Sequence, residues 1–134
     1  MRGKNTRADG GFTLVELLVT MMIIAVLVAI ALPLLLTQRQ KSYDTAAKAD
    51  VASLGHAIAA EFKESPSLPT VDDSTGQYTV NTNYVANVSD GVELQTLTGS
   101  DETDWCVWVV HPDGDVAATG IEYSAAGGLA AGTC

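Results

Sequence analysis

Residues 10–36 read GGFTLVELLVTMMIIAVLVAIALPLLL. Of the twenty residues from Leu17 to Leu36, only Thr20 and Pro33 are neither aliphatic nor Met. At ~1.5 Å per residue, a helix of that length covers about 30 Å, the thickness of a bilayer's hydrocarbon core. A helix in a soluble core would carry a polar stripe, and this run has none, so it reads as a membrane span. A cleaved secretory signal would have a shorter apolar run ending in a small-x-small site. Here Thr37-Gln38-Arg39-Gln40-Lys41 follows directly, a flank of the stop-transfer kind. Arg2, Lys4 and Arg7 precede the span, and Arg39, Lys41 and Lys48 follow it, so charge counting leaves the orientation open.

Outward from the span, the 134-residue chain is a composite. It is 47% hydrophobic and only 17% charged, which excludes a disordered acidic tail. Two Cys cannot supply a multi-disulfide scaffold or a Cys-rich zinc module. All seven basic residues lie at or before Lys63, whereas residues 64–134 hold eleven Asp/Glu. A membrane-type segment is joined to an acidic soluble domain.

The helical pattern continues past Leu36 with a changed surface. Tyr43, Ala47, Val51, Leu54, Ile58 and Phe62 fall on one helix face. Lys41, Asp44, Lys48, Asp50, Glu61 and Lys63 are assigned to the opposite, solvated face, with Asp44 and Lys48 as an i,i+4 pair. Gly55 weakens the run by about 1 kcal/mol relative to Ala. Ser65-Pro66 and Pro69 stop it, which makes one helix of roughly fifty residues.

Beyond Pro69 the period becomes that of strands. Tyr78 and Val80 alternate with polar residues, and Tyr84–Val88 continues that strand or forms a second short one. Ser89-Asp90-Gly91 is a turn before Val92–Leu97. Trp105–Val110 is a dense strand, with Trp105, Val107 and Val109 on one face and Cys106, Trp108 and Val110 on the other. Residues 111–115 read as a hairpin loop, Val116–Tyr123 as the returning strand, and the Gly-rich remainder to Cys134 as irregular. Three to four antiparallel strands are too few for a sandwich. The helix's amphipathic stripe must therefore cover one sheet face, an α+β arrangement.

Glu16 stands at the start of the apolar run, where a carboxylate is costly and marks a partner or a function. Cutting between Gly11 and Phe12 would create an α-amine four residues before it. In a bundle of such helices packed with an axial offset, one copy's carboxylate can meet its neighbour's ammonium. Either charge alone in an apolar bundle is costly, so the pairing selects the offset.

The Gly11–Phe12 junction, Thr13-Leu14-Val15-Glu16, the uninterrupted aliphatics and Pro33 together resemble the N-terminus of type IV pilins and pseudopilins. The resemblance implies a leader over residues 1–11, removed after Gly11 by a prepilin peptidase, and N-methylation of Phe12. It implies a transmembrane and polymerisation helix over 12–36, an amphipathic half over 37–65 and a β-sheet head over 66–134. Glu16 is then the assembly carboxylate, and Pro33 the helix-kinking proline, which removes the hydrogen bond to the Ala29 carbonyl. The subunit would sit in the cytoplasmic membrane with its head outside, and later in a cell-surface pilus. In that oxidising compartment Cys106 and Cys134 are expected to form the family's C-terminal disulfide; the alternative is two free thiols.

The implied partners are other copies of the chain in a helical filament, the prepilin peptidase, the inner-membrane assembly platform, minor pilins and, before assembly, lipid. A pseudopilin of a type II secretion or competence system is the alternative within the family. A single-span anchored binding module is the alternative outside it. The implied mature chain, residues 12–134, has four basic and fifteen acidic side chains, and such an acidic head is expected to repel nucleic acid. His56 and His111 have no partner at metal-ligand spacing and are read as structural or exposed. Asp101-Glu102-Thr103-Asp104 and Asp113-Gly114-Asp115 read as solvated acidic loops that fit no EF-hand. No cofactor is expected, calcium on these loops being the alternative. No nucleophile–base pair, phosphate loop or catalytic carboxylate pair can be assembled, so no enzymatic activity is expected.

Overall fold

The computed structural model describes residues 11–134. Helix α1 runs Leu14–Glu64, 51 residues with Pro33 inside. It is followed by β1 (Val71–Asp72), β2 (Gln77–Val80), β3 (Asn83–Asn87), β4 (Glu93–Asp101), β5 (Asp104–Val110), β6 (Ile121–Ser124) and β7 (Gly128–Ala131). The chain divides into two compact units at Leu36/Thr37. In the first, every large apolar side chain from Phe12 to Leu36 is exposed among the described residues.

The second unit contains the core. Ala47, Val51, Leu54 and Ile58 on α1 are fully buried with Tyr78, Val107, Val109 and Ile121 from the strands. Each buried Val, Leu or Ile contributes roughly 1.5–3 kcal/mol. β5 alternates as its sequence requires: Trp105, Val107 and Val109 are buried, and Cys106, Trp108 and Val110 are half-buried on the other face. Trp105 stacks between Phe62 and Tyr123, with ring centroids 6.3 and 5.9 Å away.

The strands form two antiparallel sheets, β1-β2-β3 and β4-β5-β6-β7. Tyr84–Val88, left open above, thus belongs to a hairpin with β2, turning on Asn81-Thr82, both at positive φ (48° and 71°). A β-branched residue seldom adopts that conformation. Side-chain bonds hold the turn: Asn81 Oδ1 accepts the Thr70 N–H at 2.9 Å, and Glu61 accepts from the Asn81 and Asn83 amides at 3.1 and 3.0 Å.

Three sequence expectations are corrected. Asp44 and Asp50, assigned to the solvated face, are 6% and 5% exposed. Asp44 accepts three backbone N–H groups, from Asp115, Val116 and Ala117, at 3.0, 3.2 and 2.9 Å. Asp50 accepts from the Tyr78 hydroxyl (3.1 Å), the Ser89 N–H (2.9 Å) and the Ser89 hydroxyl (2.8 Å). Burial and the adjacent Asp50 charge push the Tyr78 phenol well above its ordinary pKa. The donors that satisfy both carboxylates are neutral N–H and O–H groups.

The second correction follows from the first. The returning strand begins at Ile121 rather than Val116, because the N–H groups of 115–117 turn toward Asp44 instead of a neighbouring strand. Third, the Gly-rich end is not irregular. Gly128 adopts φ +65° at the turn, and Gly128–Ala131 returns as β7 along β6.

Gly55 also acquires a reason. A Cβ there would overlap the Tyr123 ring, which is held by Trp105 on its face and His56 at its edge. Gly55→Ala should therefore lower stability by about 2 kcal/mol despite alanine's better helix propensity. Thermal melts of the full chain in detergent would check the sign.

Candidate functional site

Gly11, Phe12 and Thr13 precede the first helical residue, Leu14, so the Gly11–Phe12 bond lies in non-helical, exposed backbone. A protease can bind such a segment without unwinding a turn of helix. Phe12 is 93% exposed.

The helix start is closed by a reciprocal cap. The Thr13 N–H and hydroxyl each donate to Glu16 Oε2 at 2.9 Å, and the Glu16 N–H donates to Thr13 Oγ1 at 3.2 Å. This is a capping box, with Thr13 at N-cap and Glu16 at N3. Thr13 was not singled out in the sequence, although its T-x-x-E spacing before an apolar run is the signal for such a cap. Both bonds use Oε2; Oε1 accepts no bond from the described residues. Phe12, Glu16, Leu17 and Thr20 line one groove.

Of the sequence-derived site residues, Gly11, Phe12 and Glu16 therefore share one end of α1. Pro33 is seventeen residues beyond Glu16, about 25 Å along a helix, so it acts on helix geometry and not at this site.

Cys106 and Cys134 are joined in a disulfide with Cα atoms 5.8 Å apart. They are 28 residues apart, for which the chain-entropy model assigns about 3.5 kcal/mol. Cys134→Ser should thus lower the melting temperature and selectively speed amide exchange in β7, measurable by hydrogen exchange. Glu122 Oε2 lies 3.5 Å from Cys106 Sγ, but bridged sulfurs are not thiolate metal ligands.

Both histidines pack against aromatic rings. His111 is 2% exposed, stacks on Tyr43 at 4.3 Å and accepts the Asp113 N–H on Nδ1 at 3.2 Å. His56 packs edge-on to Tyr123. In the 101–104 loop, Asp101 Oδ1 accepts from the Thr103 hydroxyl, the Thr103 N–H and the Asp104 N–H. Those bonds, the hydroxyl's first, hold its carboxyl below the usual range.

Residues 6–32 match the family model described as the prokaryotic N-terminal methylation motif. The match supports a class III leader of the kind found in type IV pilin and pseudopilin precursors. The fold is the corresponding α+β one: a long N-terminal helix packed on antiparallel sheets, with a C-terminal disulfide. No curated protein and no solved structure matches the chain. Motif and apolar helix support anchoring in a membrane before assembly.

Proposed function

We propose that the chain is a structural pilin subunit. A prepilin peptidase removes residues 1–11 and methylates Phe12, and the product polymerises into a type IV pilus on the cell surface. The observation that carries this reading is the pairing of an exposed Gly11–Phe12 junction with Glu16, whose Oε1 accepts no bond from the described residues, at the end of a helix whose apolar side chains up to Leu36 are exposed among those residues.

In the filament the apolar halves of neighbouring helices cover one another, which supplies the main association force. Glu16 keeps Thr13 on one oxygen and offers the other to the methylated ammonium of the next copy. The contact sets the axial offset, because any other offset buries both charges unpaired. Pro33 leaves one backbone carbonyl without its helical donor and gives the bundle a place to bend. Assembly platform and minor pilins are the further partners of this reading, and no catalytic role is assigned.

Task assignment within the family follows the charge. The chain beyond Lys63 carries eleven carboxylates and no Lys or Arg, so the filament flank is a poor surface for phosphate polymers. If such filaments take up DNA, a different, basic subunit must bind it.

Mass spectrometry of filaments sheared from cells tests the reading. N-methyl-Phe12 at the N-terminus, with a linked Cys106–Cys134 peptide, is the expected result. Recovery of only unprocessed or unassembled chains from cells making the whole machinery would overturn it.

A further inference from the structure

Cys106 on β5 and Glu122 on β6 stand on one face of their sheet. The strands pair Trp108 with Glu122 and Cys106 with Ser124, while Val107, Val109 and Ile121 point the other way, into the core. Residues 132–134 cross the outer face. The Gly132 N–H donates to the Gly120 carbonyl at 3.0 Å, and a Cβ on Gly120 would meet the Gly132 carbonyl, the Thr133 methyl and the Trp108 ring. The bridge to Cys106 closes this strap. Glu122 Oε2 lies 3.5 Å from Cys106 Sγ, and the Cys134 sulfur is within 4.8 Å of the same carboxylate.

A bridged sulfur has no hydrogen to give, so the 3.5 Å contact is no hydrogen bond, and among the described residues no other group donates to Glu122. The strands and the strap offer no counter-charge, since no Lys or Arg follows Lys63. A strand gains little from a Glu. The carboxylate is thus uncommitted, half-buried and set against the chain's one disulfide.

We propose that Glu122 shields the Cys106–Cys134 bridge from attack by thiols, and from anionic thiols most of all. Exchange starts when a thiolate attacks one sulfur of the bridge. A new S–S bond forms, the old one breaks, and the other sulfur leaves as a thiolate. A second reductant thiolate then attacks the mixed disulfide. The bridge has gained two electrons, the reductant has become its own disulfide, and the protons of its two thiols end on Cys106 and Cys134. Attack at Cys106 brings the incoming charge against Glu122. Attack at the more exposed Cys134 expels Cys106 as a thiolate beside the same carboxylate. Both routes set negative charge next to negative charge at a half-buried place, where water and salt screen it less. The contact lies within one chain, so it stands apart from the filament reading.

The test uses the full chain in detergent with its bridge closed. Cysteamine, a cationic thiol, and mercaptoethanesulfonate, an anionic one, are compared at equal thiolate concentration, and opening is followed by alkylation and mass spectrometry. Glu122→Gln should speed opening by the sulfonate roughly fivefold and by cysteamine less, and Glu122→Lys should speed the sulfonate further. Glu122→Asp keeps the charge and should stay nearer to wild type than to Glu122→Gln with both thiols. Rates for Glu122→Gln and Glu122→Lys within about twofold of wild type would overturn the proposal. So would an acceleration shared by Glu122→Gln and Glu122→Asp and equal for the two thiols, because that marks a loosened strap and not a lost charge.

Discussion

Cells carrying Glu16→Ala are expected to yield on the order of a hundredfold fewer filaments, with normal removal of residues 1–11. The loss has two sources that a second variant separates. Alanine opens the Thr13–Glu16 capping box and also removes the charge that meets a neighbour's ammonium. Glu16→Gln keeps an acceptor for the Thr13 N–H, since glutamine serves at N3, and removes only the charge. If pairing across copies is the dominant function of Glu16, the two variants lose filaments equally, counted by electron microscopy of sheared material. Wild-type filament numbers with Glu16→Gln would show that the cap, and not the charge, is what assembly requires.

Asp44→Ala is expected to have the largest effect on stability of any polar substitution in the head. It leaves the N–H groups of Asp115, Val116 and Ala117 without their acceptor in a part-buried loop. The cost is about 3 kcal/mol, or roughly 15 °C in melting temperature for a domain of this size. The effect has a pH signature. Burial alone would raise the Asp44 carboxyl, but the Ala117, Val116 and Asp115 N–H groups and the Lys48 charge outweigh it and hold its pKa below the ordinary value. A depressed carboxyl contributes stability above its unfolded pKa, near 3.9, and loses it as pH falls through the lowered folded value. Wild type and Asp44→Ala should therefore differ most above about pH 5 and converge in stronger acid. Melts of the detergent-solubilised chain between pH 2 and 7 would check this, and parallel curves would contradict it.

Two helix residues show why parts of this fold were hidden in the sequence. Asp44 and Asp50 are charged residues flanking an apolar stripe, and the one-dimensional pattern assigns such residues to water. Their actual partners lie 71 and 28 residues away at the first contact of each, and no local rule joins them. The displaced start of β6 is the same error seen from the other side. Val116–Tyr123 has the composition of a strand, yet the N–H groups a strand would use are given to Asp44. The Asn81-Thr82 turn carries no Gly to announce positive φ, because Glu61 and Thr70 hold it through Asn81.

The candidate site was more legible than the head. Gly11, Phe12 and Glu16 lie within six residues, so their spacing is itself the geometry, and only the Thr13 cap was overlooked. What this sequence determined alone is whatever depends on neighbours along the chain: an apolar run of membrane length, the amphipathic stripe from Tyr43 to Phe62, the alternation of β5 and the processing motif. Tertiary structure alone decided which buried carboxylate holds which loop, that the strands separate into two sheets, and that Gly55 makes room for Tyr123. Those outcomes are set by distant groups competing for the same donors and the same space, and periodicity carries no information about that competition.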